Sequence, residues 1–121
     1  MPLSRLKTEK RSFTDIQHVV SDLVTHILTH AGQADIYLIG SYVRGAADEF
    51  SDIDLVVVIP DAQDPAQTSF AISENRPWRK FAVDLMVINR HEFEKMCDTG
   101  GIAFEAKNHG KLLSSAGAPP K

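Results

Sequence analysis

Gly40-Ser41-Tyr42-Val43-Arg44-Gly45, six further residues, and then Asp52-Ile53-Asp54-Leu55-Val56-Val57-Val58-Ile59: on this stretch the reading of the whole chain turns. Its second half is β-branched and stops at Pro60, which predicts a strand over 52–59. Upstream, Asp35-Ile36-Tyr37-Leu38-Ile39 is a short apolar run of the kind that forms a buried strand, 35–39. Gly40-Ser41 breaks it, Tyr42 to Ala47 suit a turn or two of helix, and 48–51 read as a loop. A Gly-Ser pair between a buried strand and a helix suits a phosphate. Glycine lets the backbone approach closely, serine adds a hydroxyl, and the helix start offers free N–H groups. Taken alone, a plain strand-to-helix turn looks the same.

The carboxylates change the balance. Asp52 and Asp54 are two apart on a strand, so both point to one face, about 6–7 Å apart at the backbone. Like charges so placed repel each other unless a cation lies between them. Hard oxygen ligands on one face suit Mg²⁺, which completes its shell with water and substrate phosphates. An isolated Asp-x-Asp is also an ordinary surface feature. Asp84 is the third piece, interrupting Phe81-Ala82-Val83-Asp84-Leu85-Met86-Val87-Ile88 in a strand predicted over 80–88. Phe81, Val83, Leu85 and Val87 fall on one face, and Ala82, Asp84, Met86 and Ile88 on the other. A carboxylate in such a run is costly unless it meets a basic partner, water or a site. Three acids converging from two neighbouring strands beside a phosphate-ready turn are a stronger signal than any of the parts.

Working outward, Ser12 and Asp15 have capping-box spacing. Ile16, Val19, Val20, Leu23, Val24, Ile27 and Leu28 then form a helical stripe ending before Gly32, which predicts an amphipathic helix over 13–30. Residues 61–78 are polar and carry Pro65 and Pro77, so a loop with at most a short irregular element is expected. A helix from Arg90 to about Cys97, a break at Gly100-Gly101 and a helical piece over 102–108 follow, before Gly110 and a short apolar end at Leu112-Leu113. Residues 1–11 read as a basic, flexible arm and 114–121 as a disordered tail, around a single domain over 12–113. The fold class expected is α/β (α+β): a small mixed sheet with helices packed on one face.

Composition narrows the function classes. A hydrophobic fraction of 43% and a charged fraction of 24% are ordinary for a globular protein. No apolar run is long enough to span a bilayer, and no h-region follows the N-terminus, so a cytoplasmic protein without a membrane partner is expected. The single cysteine, Cys97, cannot form an internal disulfide and reads as a semi-buried helix residue. A net charge of −3 gives no strong nucleic-acid signal.

Gly40-Ser41, ten residues, Asp52-x-Asp54 and the isolated strand residue Asp84 together resemble the DNA polymerase β-like nucleotidyltransferase superfamily. The run from Gly40 to Val57 is especially similar to the minimal nucleotidyltransferases, small prokaryotic domains often encoded beside a HEPN-domain partner. The resemblance covers roughly residues 12–113. It implies that Asp52 and Asp54 bind two Mg²⁺ ions, with Mn²⁺ an alternative. It also implies that Asp84 completes the catalytic metal's site and helps to activate the acceptor hydroxyl. Gly40 and Ser41 would hold the β- and γ-phosphates of ATP, the substrate. The activity implied is transfer of AMP to a hydroxyl, with a tyrosine of a HEPN-domain toxin as the favoured acceptor and the protein acting as its antitoxin. Larger relatives carry a further domain that grips base and acceptor, so a homo- or hetero-oligomer is expected to supply that wall. A non-catalytic module that masks its partner, or an aminoglycoside-type nucleotidyltransferase, are the alternatives. Arg44 suits a triphosphate and equally a pair with Asp48 or Glu49. Arg76, Trp78, Arg79 and Lys80 form a basic, aromatic patch, read as a solvated loop or as a contact for base, acceptor or partner. His26 and His30 stand at i, i+4 and read as surface residues lacking a third metal ligand; His18, His91 and His109 have no constellation around them.

Overall fold

A computed structural model describes residues 10–75 and 81–115. Its elements are a 3₁₀ turn, Phe13–Ile16, then α1 (Gln17–Ala31), β1 (Asp35–Ile39), α2 (Ser41–Arg44), β2 (Ile53–Ile59), α3 (Pro65–Glu74), β3 (Val83–Asn89), α4 (Arg90–Met96), α5 (Gly101–His109) and β4 (Lys111–Ser114). The sheet order is β3-β2-β1-β4. β1 runs antiparallel to β2 and β4, whereas β2 and β3 are parallel. The class is the mixed α/β one expected from the sequence.

The helices do not share one face as expected; they cover both. Ile36, Leu38, Ile53, Leu55, Val57 and Ile59 form one apolar layer with Ile16, Val20, Leu23 and Ile27 of the N-terminal helical segment and Ile72 of α3. On the opposite face Ile39, Val56 and Val58 meet Phe93 of α4, Cys97, and Ala103 and Ala106 of α5. The reason lies in β2, where every residue except Asp54 is buried. A strand apolar on both sides needs cover on both sides. The alternation of β3 then puts Asp84 and Met86 on the α4/α5 face.

Three other expectations change. Residues 61–78 contain α3, a full helix that Asp64 starts by accepting the Ala66 N–H at 3.2 Å, with Pro65 in its first turn. Proline there loses no hydrogen bond, because the first-turn N–H groups have no helical partner anyway. Asp64→Ala is expected to cost about 1 kcal/mol, read as a lower urea midpoint at unchanged slope. The Leu112-Leu113 end is a fourth strand, paired with β1. Arg11, expected in a flexible arm, exchanges two backbone hydrogen bonds with Ala47 at 2.7 and 3.1 Å. The rest of that arm up to residue 9, the 76–80 patch and the tail beyond Ser115 lie outside the described residues.

Local devices fix the ends of the elements. Ser12 N–H donates to Asp15 Oδ2 at 2.8 Å, the backward arm of the capping box. Asp35, buried at the start of β1, takes a hydrogen-bonded ion pair from Arg90, the first residue of α4. No helix among the described residues is long and apolar enough to cross a membrane.

Candidate active site

The parallel register sets Asp54 of β2 directly beside Asp84 of β3. Asp52 precedes β2, after a turn built by Asp48: its Oδ1 accepts the Phe50 N–H at 2.8 Å, and its N–H donates to Ser51 Oγ at 2.9 Å. Ile53 N–H then donates to the Ala82 carbonyl at 2.8 Å, locking this turn to the entry of β3. As a result Asp52, Asp54 and Asp84 each offer a carboxylate oxygen, all within 4.8 Å of one another. Among the described residues they are the one such group of three acidic, histidine or cysteine side chains.

Asp52 and Asp84 are exposed, and Asp54 sits half-buried between them. Its carboxyl is held above the ordinary value of 3.8, first by burial, then by the charges of Asp84, Asp52 and Glu105, with Arg44 opposing. A carboxyl raised partly by the negative charge of its neighbours marks a place where positive charge is favoured. The donor set is all-oxygen and open to solvent on two of its three members, which fits a hard divalent cation that keeps waters and substrate oxygens in its shell.

The β1–α2 turn faces this group. Gly40 has φ +87°, and a Cβ built on it would lie 2.6 Å from Asp54 Oδ2. Glycine is therefore what lets the Asp54 carboxylate rest against the turn. Ser41 opens α2, a single turn whose Val43 N–H donates to the Gly40 carbonyl at 3.1 Å. Tyr42 is buried and anchors that turn in the core.

Arg44 pairs with neither Asp48 nor Glu49. Its guanidinium lies 3.7 Å from Glu105 Oε2, and the same oxygen accepts the Gly40 N–H at 3.3 Å. Glu105 and His109 stand at i, i+4 on α5, and with Gly40 and Arg44 they line a cavity of about 580 Å³. Glu105 has no signal in the sequence and His109 reads there as a residue without a constellation: a Glu and a His near the end of a short helix mean little until α5 is folded over β1. A second, smaller cleft of about 210 Å³ is lined by Asp54, Asp84, Met86 and Ile102. The histidine pair on α1 plays no part here. His26 Nε2 hydrogen-bonds the Ile72 carbonyl at 2.9 Å, tying α1 to α3. Cys97 is buried beside Ala103 and Ala106.

Comparisons with known proteins bear on this geometry. The family model described as "Nucleotidyltransferase domain" matches residues 20–113. A crystal structure from Sulfolobus solfataricus, of a protein provisionally named a nucleotidyltransferase, superposes with a TM-score of 0.57 at 17% identity, covering 82% of this chain and 79% of that one. At that identity the likeness concerns the fold. No curated protein matches the chain.

Proposed function

The chain belongs to the nucleotidyltransferase domain family, and on that premise we propose that it transfers AMP from ATP to a hydroxyl group, with a tyrosine of a HEPN-domain toxin as acceptor. The observation that carries the reading is the set Asp52, Asp54 and Asp84, whose oxygens gather within 4.8 Å beside the Gly40-Ser41 turn. Bound among these carboxylates, two Mg²⁺ ions, or Mn²⁺ in their place, would lower the pKa of an attacking hydroxyl and neutralise charge on the triphosphate. The protein's own share is placement. Gly40, Ser41 and Arg44 hold the phosphates at the α5 side of the sheet. Asp84, exposed at the outer strand, faces the incoming acceptor and takes its proton. The acceptor oxygen bonds to the α-phosphorus, the bond to the β-phosphate's bridging oxygen breaks, and pyrophosphate leaves.

A toxin tyrosine suits a site whose two outer carboxylates are solvent-exposed and whose neighbouring cleft is rimmed by the half-exposed apolar side chains of Met86 and Ile102. In this reading the protein is an antitoxin that silences its partner by modifying it.

The test is to incubate the protein and a HEPN-domain toxin with ATP and Mg²⁺, then weigh both by mass spectrometry. A gain of one AMP on the partner, lost when Asp52 and Asp54 are both changed to Asn, is expected. An unmodified partner, with AMP appearing on an aminoglycoside instead, would remove the toxin from the proposal. A double variant that still neutralises the toxin fully would replace catalysis by masking.

A further inference from the structure

Glu105 reaches from α5 to the end of β1 and places one oxygen, Oε2, against two groups at once. These are the Gly40 N–H at 3.3 Å and the Arg44 guanidinium at 3.7 Å. An N–H and a guanidinium directed at one point suit any anionic oxygen. The contact contributes little to stability, because the Glu105 and Arg44 side chains are 37% and 63% exposed and a pair so wet is well screened. It also has an electrostatic cost, since Glu105, bonded to Gly40, adds a fourth negative charge close to the three carboxylates. A carboxylate at this point, at the mouth of a cavity of about 580 Å³, is better explained by what it keeps out.

We propose that Glu105 is an internal competitor for the phosphate subsite, and so sets the affinity for nucleotide. Its carboxylate fills, in the free protein, the position between Gly40 N–H and Arg44 that a phosphate oxygen of the substrate takes. The proposal rests on the nucleotidyl-transfer reading above and deepens it. Binding is then an exchange of anions. The triphosphate displaces the Glu105 side chain, which is exposed enough to swing into solvent while α5 stays packed through Ala103 and Ala106. The cost of the closed form appears as a weakened apparent affinity, by the fraction of molecules in which the subsite is open.

The experiment measures binding of a non-hydrolysable ATP analogue, and separately of inorganic tripolyphosphate, by calorimetry in Mg²⁺ with wild type, Glu105→Gln and Glu105→Ala. Both variants should bind both ligands about tenfold more tightly, the factor for a subsite closed in about nine molecules of ten. In the ligand-free protein, the Gly40 amide resonance should move when Glu105 becomes Gln. Unchanged or weaker binding by the variants overturns the proposal while leaving nucleotide binding intact, and so does a gain confined to the ATP analogue or an unmoved Gly40 resonance. If none of the three proteins binds either ligand, the nucleotidyl-transfer reading falls as well.

Discussion

Asp54→Asn is expected to lower nucleotidyl transfer on the order of a thousandfold, the scale for losing one electrostatic contributor to a transition state, here a ligand of the cation, and at the same time to raise the thermal midpoint of the metal-free protein. The two halves have one cause. Asp54 is the member of the acidic set that is drawn into the sheet: every other residue of β2 is buried, and Asp84 lies level with it on the next strand. Its carboxyl is raised above 3.8 by burial first and by its acidic neighbours second. A raised acid means the folded protein holds that proton more tightly than the unfolded chain. Its contribution therefore favours folding in full below about pH 3.8, the ordinary value, and is lost as pH rises through the raised folded value, leaving the ionised group a burden at neutral pH. Asparagine has nearly the same shape and no charge, so it removes that burden together with the cation site. Melting the wild type and the variant in chelator, then with added Mg²⁺, separates the effects. The variant should melt higher without metal, and Mg²⁺ should raise the midpoint of the wild type alone. A wild type indifferent to Mg²⁺ at millimolar concentration would contradict the assignment of these carboxylates to a cation.

How much of this was readable in the sequence depends on whether the signal was local. The α1 stripe, the β1 run and the β2 run announce themselves through periodicity and β-branching, and each lies within a few residues of its expected limits. That Asp52, Asp54 and Asp84 come together is legible from their strand spacing and the pairing of neighbouring strands, although each acid alone also suits an ordinary surface. The helix α3 is hidden because Pro65 and Pro77 suggest breaks in 61–78, although Asp64-Pro65 is a good helix start; Thr68 and Ile72 are its buried positions, too few for a clear stripe. The four residues of β4 form a strand only because the edge of β1 is there to pair with, and no local pattern records that. Glu105 lay beyond reach for a related reason: its meaning comes from the distance between α5 and the β1–α2 turn. What is legible, then, is which side chains want burial and which resist it. What is not is the contact made when a distant element closes over a site.

Gly40→Ala should be a damaging single-methyl change at the site, destabilising the protein by roughly 1–3 kcal/mol from backbone strain and lowering activity by about a hundredfold through a misplaced carboxylate. Gly40 combines φ +87° with ψ −155°, a region that side chains other than hydrogen rarely enter. The added methyl would also stand 2.6 Å from Asp54 Oδ2, too close for any real contact. Either the turn moves or the carboxylate does, and both separate the acids from the Gly40-Ser41 backbone. Gly32 supplies the control. It too has positive φ, +77°, but its nearest neighbour to a new Cβ is Gln63 Nε2 at an ordinary 3.8 Å, at the far end of α1 from any carboxylate of the site. Gly32→Ala should thus show the strain in a chemical melt and leave turnover and the Mg²⁺-dependent shift in midpoint intact. Gly40→Ala should show the strain and lose both. Were the two variants to lose activity only in proportion to their stability, the turn at residue 40 would be a structural bend and not the seat of the acidic cluster.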